Sequence, residues 1–116
     1  MLAWMGLRHP ATDELELPAV LHALSDPQRL SIVRTLAASD EPRRCGSFHL
    51  TVTKSTQTHH FRVLREAGVI EQQEDGTARL NSLRREDLDL RFPGLLDAIL
   101  APAGVTPSRV ATGRVG

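Results

Sequence analysis

Lys54-Ser55-Thr56-Gln57-Thr58-His59-His60-Phe61-Arg62-Val63-Leu64-Arg65-Glu66-Ala67-Gly68 is the stretch that decides the fold. Thr53, just before it, can accept a hydrogen bond from a first-turn amide. Gly68 stands where a helix closes on a left-handed residue. The pattern predicts a helix over 54–67. At about 100° per residue, Phe61 and Leu64 share one face, with His60 and Ala67 on its flank. Ser55, Thr58, His59 and Arg62 share the opposite face. One side is suited to burial, the other to hydrogen bonding with something outside the chain.

Reading outward, VIEQQE (69–74) and TARLNSL (77–83) flank Asp75-Gly76, which predicts a β-hairpin. RREDLDLRF and PGLLDAIL then read as two helical pieces broken at Pro93-Gly94. Upstream, Asp26 as cap and Pro27 at the first helical position predict a helix from Pro27 to about Ala38, with Leu30, Val33, Leu36 and Ala37 at helical spacing. A further helix starts near Pro18, with Val20, Leu21 and Leu24 on it. Residues 43–52 (RRCGSFHLTV) fit two patterns. Gly46 weakens a helix, and Phe48, Leu50 and Val52 alternate as in a strand. The reading adopted is a short, poorly formed helix followed by a turn. Residues 1–12 read as a flexible arm, 13–100 as one domain, and 101–116, rich in Pro, Gly and Ala, as a flexible tail.

Helix, helix, short helix, capped helix with a polar face, hairpin and helix is the order of a winged helix-turn-helix: a mainly α fold with a small β-hairpin wing. A major groove accepts one helix. Lys54, Ser55, Thr56, Thr58, His59, Arg62 and Arg65 can donate from the capped helix to phosphates or base edges, and Arg79 can do so from the wing. Residues 43–67 hold Arg43, Arg44, Lys54, Arg62 and Arg65 against Glu66 alone, a positive segment suited to an anionic partner. A solvated helix face would show the same charge pattern.

Two segments carry a resemblance. Leu24-Ser25-Asp26-Pro27-Gln28-Arg29-Leu30 looks like the L-x-D-P-x-R-L segment of the ArsR/SmtB family of bacterial repressors. Ser55 to Ile70 is similar to that family's recognition-helix signature, S-T-x-S-x-H-L-x-x-L-x-x-A-G-L-V. The resemblance spans about residues 17 to 100. It implies a homodimer joined through the first and last helices, binding to an inverted-repeat operator in double-stranded DNA, and release of that DNA by an inducer. Three features depart from the pattern. Gln57 replaces an apolar residue at the centre of the core face, Phe61 replaces a Leu, and Gly46 and Phe48 suit the motif's first helix badly. Arg29 matches the family's Arg. A local ion pair with Asp26 is favoured for it over contact with DNA.

The family includes many metal sensors. A cysteine pair around residues 43–47 marks one sensor type, and only Cys45 is present. Asp-x-His and a later His in the last helix mark another. Here Asp87-Leu88-Asp89 and Asp97 occur, with no His after residue 60. Cys45 and His49 stand four apart, and His9 in the arm can complete a set, so Cys45, His49 and His9 are the candidate ligands for a divalent transition metal, Ni²⁺ or Zn²⁺. A buried thiol and surface imidazoles are the favoured alternative. His59 is assigned to the DNA-facing stripe and His60 to the packed edge of the core. Val20, Leu21, Leu24, Leu95, Leu96, Ile99 and Leu100 are read as the dimer seam, because a core this small leaves apolar faces to cover.

The 116 residues carry 14 basic and 14 acidic side chains and 41% hydrophobic residues, ordinary values for one globular domain. One cysteine permits no intrachain disulfide, and no apolar run approaches a membrane span of about 20 residues. The N-terminus lacks the pattern of a secretory signal, so the expected location is cytoplasmic, away from membranes. The aromatics are Trp4, Phe48, Phe61 and Phe92, too few for a β-sandwich or a stacking site. There is no P-loop, H-E-x-x-H or G-x-S-x-G, so an enzyme is not expected. The leading function is a sequence-specific DNA-binding repressor, with metal response left open. The alternative is a regulatory winged-helix module acting through a separate sensor or partner protein.

Overall fold

The computed structural model describes residues 7–48 and 50–101. After a 3-10 turn at Thr12–Glu14 come α1 (Leu17–Leu24), α2 (Pro27–Ala37) and β1 (Arg43–Arg44). A second 3-10 turn (Cys45–Phe48) leads to α3 (Lys54–Ala67). Then follow β2 (Ile70–Asp75), β3 (Ala78–Leu83), α4 (Arg85–Arg91) and α5 (Leu95–Leu100). The strands form one antiparallel sheet in the order β1-β3-β2. This is a winged helix, as the order of elements predicts.

Local signals set the helix ends. Asp26 accepts from the Gln28 amide at 3.2 Å and opens α2 with Pro27 in its first turn. Thr53 does the same for α3, taking the Thr56 amide at 3.2 Å, which typically contributes about 1 kcal/mol. Gly68 closes α3 at φ 86°, its amide bonded to the carbonyls of Leu64 and Arg65. It also lies under the N-terminal segment, where a Cβ would run into the Leu15 side chain. α1 begins at Leu17, one residue before the expected Pro18, with the proline in its first turn.

The core is aliphatic. Leu15, Val20, Ile32, Val33, Leu64, Val69, Ile70, Leu88 and Leu96 are buried from every side of the sheet–helix stack. Phe61 adds a ring that meets Phe48 edge-on, centroids 5.3 Å apart, so the phenylalanine in place of leucine is filled by Phe48. Gln57, the polar residue on the core face, is satisfied by the Cys45 carbonyl, to which it donates at 3.3 Å.

Four expectations change. The short helix over 43–52 is replaced by β1 and a 3-10 turn, because Arg43 and Arg44 pair with Asn81 and Leu80 of β3. The two-residue hairpin loop is Gly76-Thr77, one position past the Asp-Gly signal, since Asp75 and Ala78 pair across it. Of the arm, the described residues 7–12 are tied down. His9 Nε2 accepts from the Gln72 amide at 2.9 Å, Arg84 donates to the Pro10 carbonyl at 2.8 Å, and Thr12 donates to Asp87 at 2.6 Å. The Thr12 hydroxyl and the Arg84 guanidinium together hold the Asp87 carboxyl below the usual carboxylate range. Finally, Val20, Leu24 and Leu96 of the expected dimer seam are buried within the single chain. The expected tail, apart from Ala101, lies outside the described residues.

Candidate nucleic-acid interface

The site is built on α3. Phe61 and Leu64 are buried beneath it, as is His60 at its edge, while Lys54, Ser55, Thr58, His59 and Arg62 are exposed on the other side. Thr56 is half-buried, its hydroxyl bonded to that of Thr53 at 2.9 Å. Five of the eight residues read as DNA-facing thus form one open stripe of hydroxyl, imidazole and cationic groups.

Arg65 is placed differently from the expectation. It turns inward and donates to Gln72 Oε1 on β2 at 2.8 Å, with its side chain only 13% exposed. Burial and the neighbouring Arg79 lower its pKa. Arg65 therefore braces the recognition helix against the wing. Arg79 is half-buried on β3 and lines a cleft between the wing and α3. Arg44, which was not singled out, lines the same cleft from β1, although it lay in the basic segment that the charge count marked.

A buried polar clamp fixes the back of the helix. Arg29, expected to pair with Asp26, is buried. Its Nε donates to the Ala23 carbonyl at 2.7 Å and its Nη2 to the His22 carbonyl at 3.2 Å, at the negative end of α1. Its Nη1 meets His60 Nδ1 at 3.2 Å. Since Arg can only donate, Nδ1 accepts and the proton sits on Nε2, 3.9 Å from Asp26 Oδ2. His60 is thus a packed, hydrogen-bonded histidine, as read from its place on the wheel.

Burial pushes the His60 pKa below its ordinary 6.5. Asp26 pulls the other way, and Arg29 and His59 reinforce the lowering. His9 is lowered too, again chiefly by burial. Both rings are neutral in the fold, whereas the unfolded chain gains protons first as the solution acidifies. Their contribution to stability is therefore full above about pH 6.5 and is lost as pH falls from there toward the lower folded-state values. Urea midpoints measured at pH 7.5 and 5.5 are expected to be lower at the acid end, and His60→Gln is expected to shrink the difference. Equal pH dependence in the variant would remove His60 as a cause.

Two of the candidate metal ligands, His9 and Cys45, are hydrogen-bonded within the protein. His9 has both ring nitrogens engaged, Nδ1 by the Leu7 carbonyl and Nε2 by the Gln72 amide. Cys45 Sγ takes the side-chain amides of Asn81 at 3.3 Å and Gln72 at 3.9 Å. His49 lies outside the described residues. Among the described residues, no three His, Cys, Asp or Glu side chains come together as a ligand set.

A helix packed on its own domain by one face and open on its hydroxyl and cationic face, beside a two-stranded wing, defines the winged helix-turn-helix class of DNA-binding regulators. Known family profiles give no match. The HTH-type transcriptional regulator YceK of Bacillus subtilis (strain 168), itself uncharacterized, is 35% identical over 82 residues, covering 69% of this chain and 82% of YceK. The chain therefore belongs to the HTH-type transcriptional regulators, a non-enzymatic class that works on DNA. Its fold is that of the ArsR family. An ArsR family transcriptional regulator of known structure superimposes with a TM-score of 0.60 at 19% identity, over 71% of this chain and 90% of that one. The transcriptional repressor BigR from Xylella fastidiosa does so with 0.55 at 24% identity, over 74% and 87%. No helix among the described residues is long and apolar enough to cross a membrane.

Proposed function

We propose that the protein is a dimeric, cytoplasmic repressor that reads an inverted-repeat operator with Lys54, Ser55, Thr56, Thr58, His59 and Arg62 of α3 and with Arg79 of the wing. The observation that carries this is the two-sided α3, held from behind by Phe61, Leu64 and the Arg29–His60 clamp while its hydroxyl and guanidinium stripe stays open. Arg65 supports the site from within.

The test begins with duplexes selected from a random pool by the purified protein. Binding to the selected sequence is expected to weaken with salt, with a slope of about 0.9 in log K against log[salt] for each phosphate contacted. Arg62→Ala is expected to cost about 1–3 kcal/mol of specific binding. Unchanged affinity in the Arg62→Ala, Ser55→Ala double variant would show that another surface holds the duplex.

A second copy of the chain is the partner that suits α1 and α5. Leu17 and Leu21 stand 41% and 46% exposed on α1, and Leu95, Ile99 and Leu100 are only half-buried on α5. These five form the seam proposed in place of the partly internal set above. Leu21→Glu is expected to yield monomers in sedimentation with the helical content unchanged, and to weaken operator binding by losing the second half-site. Dimers of normal mass in that variant would move the seam elsewhere.

A further inference from the structure

A large cleft opens beside the DNA-facing stripe. It has a volume of about 720 Å³ and opens between α3, the 3-10 turn at Cys45–Phe48 and the tip of the wing. That volume falls in the range of small-molecule sites. Gly46 and Ala78 leave it wide, and the edge of the otherwise buried Phe61 ring reaches its floor.

The chemistry of the lining selects one kind of occupant. Arg44 and Arg79 stand at the cleft, and no acidic side chain lines it. Asp75 approaches Arg44 only at 3.8 Å, with both side chains more than half exposed, so this contact competes weakly for the guanidinium. The wall amides are already paired within the protein. Gln57 donates to the Cys45 carbonyl, and Gln72 bonds Arg65 and Asn81. A ligand body therefore meets a lining more apolar than polar, with the Thr58 and Thr77 hydroxyls among its polar groups, while its charged end meets two cations. Guanidinium groups bind carboxylates by paired hydrogen bonds. The backbone of a duplex supplies phosphates to such a rim, but no flat apolar body to fill the space behind it.

We propose that this cleft binds a small organic anion with a planar apolar body, its carboxylate between Arg44 and Arg79 and its body beside Phe61. Thr58 of the DNA-facing stripe and Arg79 of the wing both line the cleft, so occupancy competes with the operator. This last step rests on the repressor reading above; binding in the cleft does not.

The experiment titrates the full chain, without DNA, with 1-naphthoate, with its neutral counterpart 1-naphthamide and with sulfate. Saturable binding of one naphthoate per chain is expected, at least about tenfold tighter than either of the others. Gly46→Leu is expected to weaken it about tenfold by filling the cleft. A Cβ at Gly46 meets nothing within 4 Å, so the variant is expected to fold, which a thermal melt checks. The Arg44→Gln, Arg79→Gln double variant is expected to bind naphthoate and naphthamide alike. The proposal is overturned if naphthoate does not saturate below roughly 10 mM, if Gly46→Leu binds it normally, or if sulfate binds as well as naphthoate, since the rim would then be a phosphate site alone. Added to the protein–operator complex, naphthoate is expected to release the duplex. Cleft binding without release overturns the competition and leaves the DNA reading intact. Cleft binding by a protein that holds no duplex overturns the DNA reading and leaves the site.

Discussion

Arg29→Ala is expected to lower the unfolding free energy by about 3 kcal/mol, read as a fall in urea midpoint at constant slope. The substitution removes three hydrogen bonds from a buried guanidinium. It strips the Ala23 carbonyl of its side-chain partner at the end of α1 and leaves His60 Nδ1 facing no donor. The His22 carbonyl loses less, because the Ser25 hydroxyl also donates to it at 2.7 Å. Arg29→Met separates the two roles of the side chain, keeping the packed stem and losing the fork. It is expected to recover part of the stability and none of the hold on His60. Operator affinity is expected to fall in both variants, although Arg29 points away from the open stripe, because the helix is then less firmly seated. A loss below about 1 kcal/mol would mean that solvent replaces the clamp.

Gly68→Ala is expected to cost a similar amount, about 3 kcal/mol, from two sources. The left-handed backbone costs a residue with a Cβ about 1–2 kcal/mol, and displacing the fully buried Leu15 side chain adds a repacking cost of about 1–3 kcal/mol. Gly46→Ala is the control. It has open space for its Cβ and no left-handed backbone, so its effect is expected to stay within about 0.5 kcal/mol. Similar losses in both variants would point to chain entropy in place of the close approach at Gly68.

What was legible in the sequence was local. Thr53, Gly68, Asp26 and Pro27 announce helix ends because each cap is satisfied within a few residues, and α3 spans the expected 54–67. Pro93-Gly94 breaks the last helix as expected, with Gly94 at φ 86°. What was missed depends on partners far along the chain. Arg43 and Arg44 join a sheet because of Asn81 and Leu80, which nothing in RRCGSF foretells. Arg65 turns inward because Gln72 waits on β2. Val20 and Leu24 share apolar character with Leu21, and helical spacing alone cannot say which of them meets its own core. The internal role of Arg29 was hidden in the same way, since its partners are carbonyls and carry no side-chain signature.

β2 sits at the rim of the three-stranded sheet, and the Gln72 amide on that rim is occupied by the His9 ring. Trimming the chain past His9, by a contaminating protease or by design, would strip this plug and let two molecules continue each other's sheet. Such an assembly has the mass of a proper pair while burying neither α1 nor α5. Intact-mass spectrometry of the preparation is therefore a precondition for interpreting any stoichiometry.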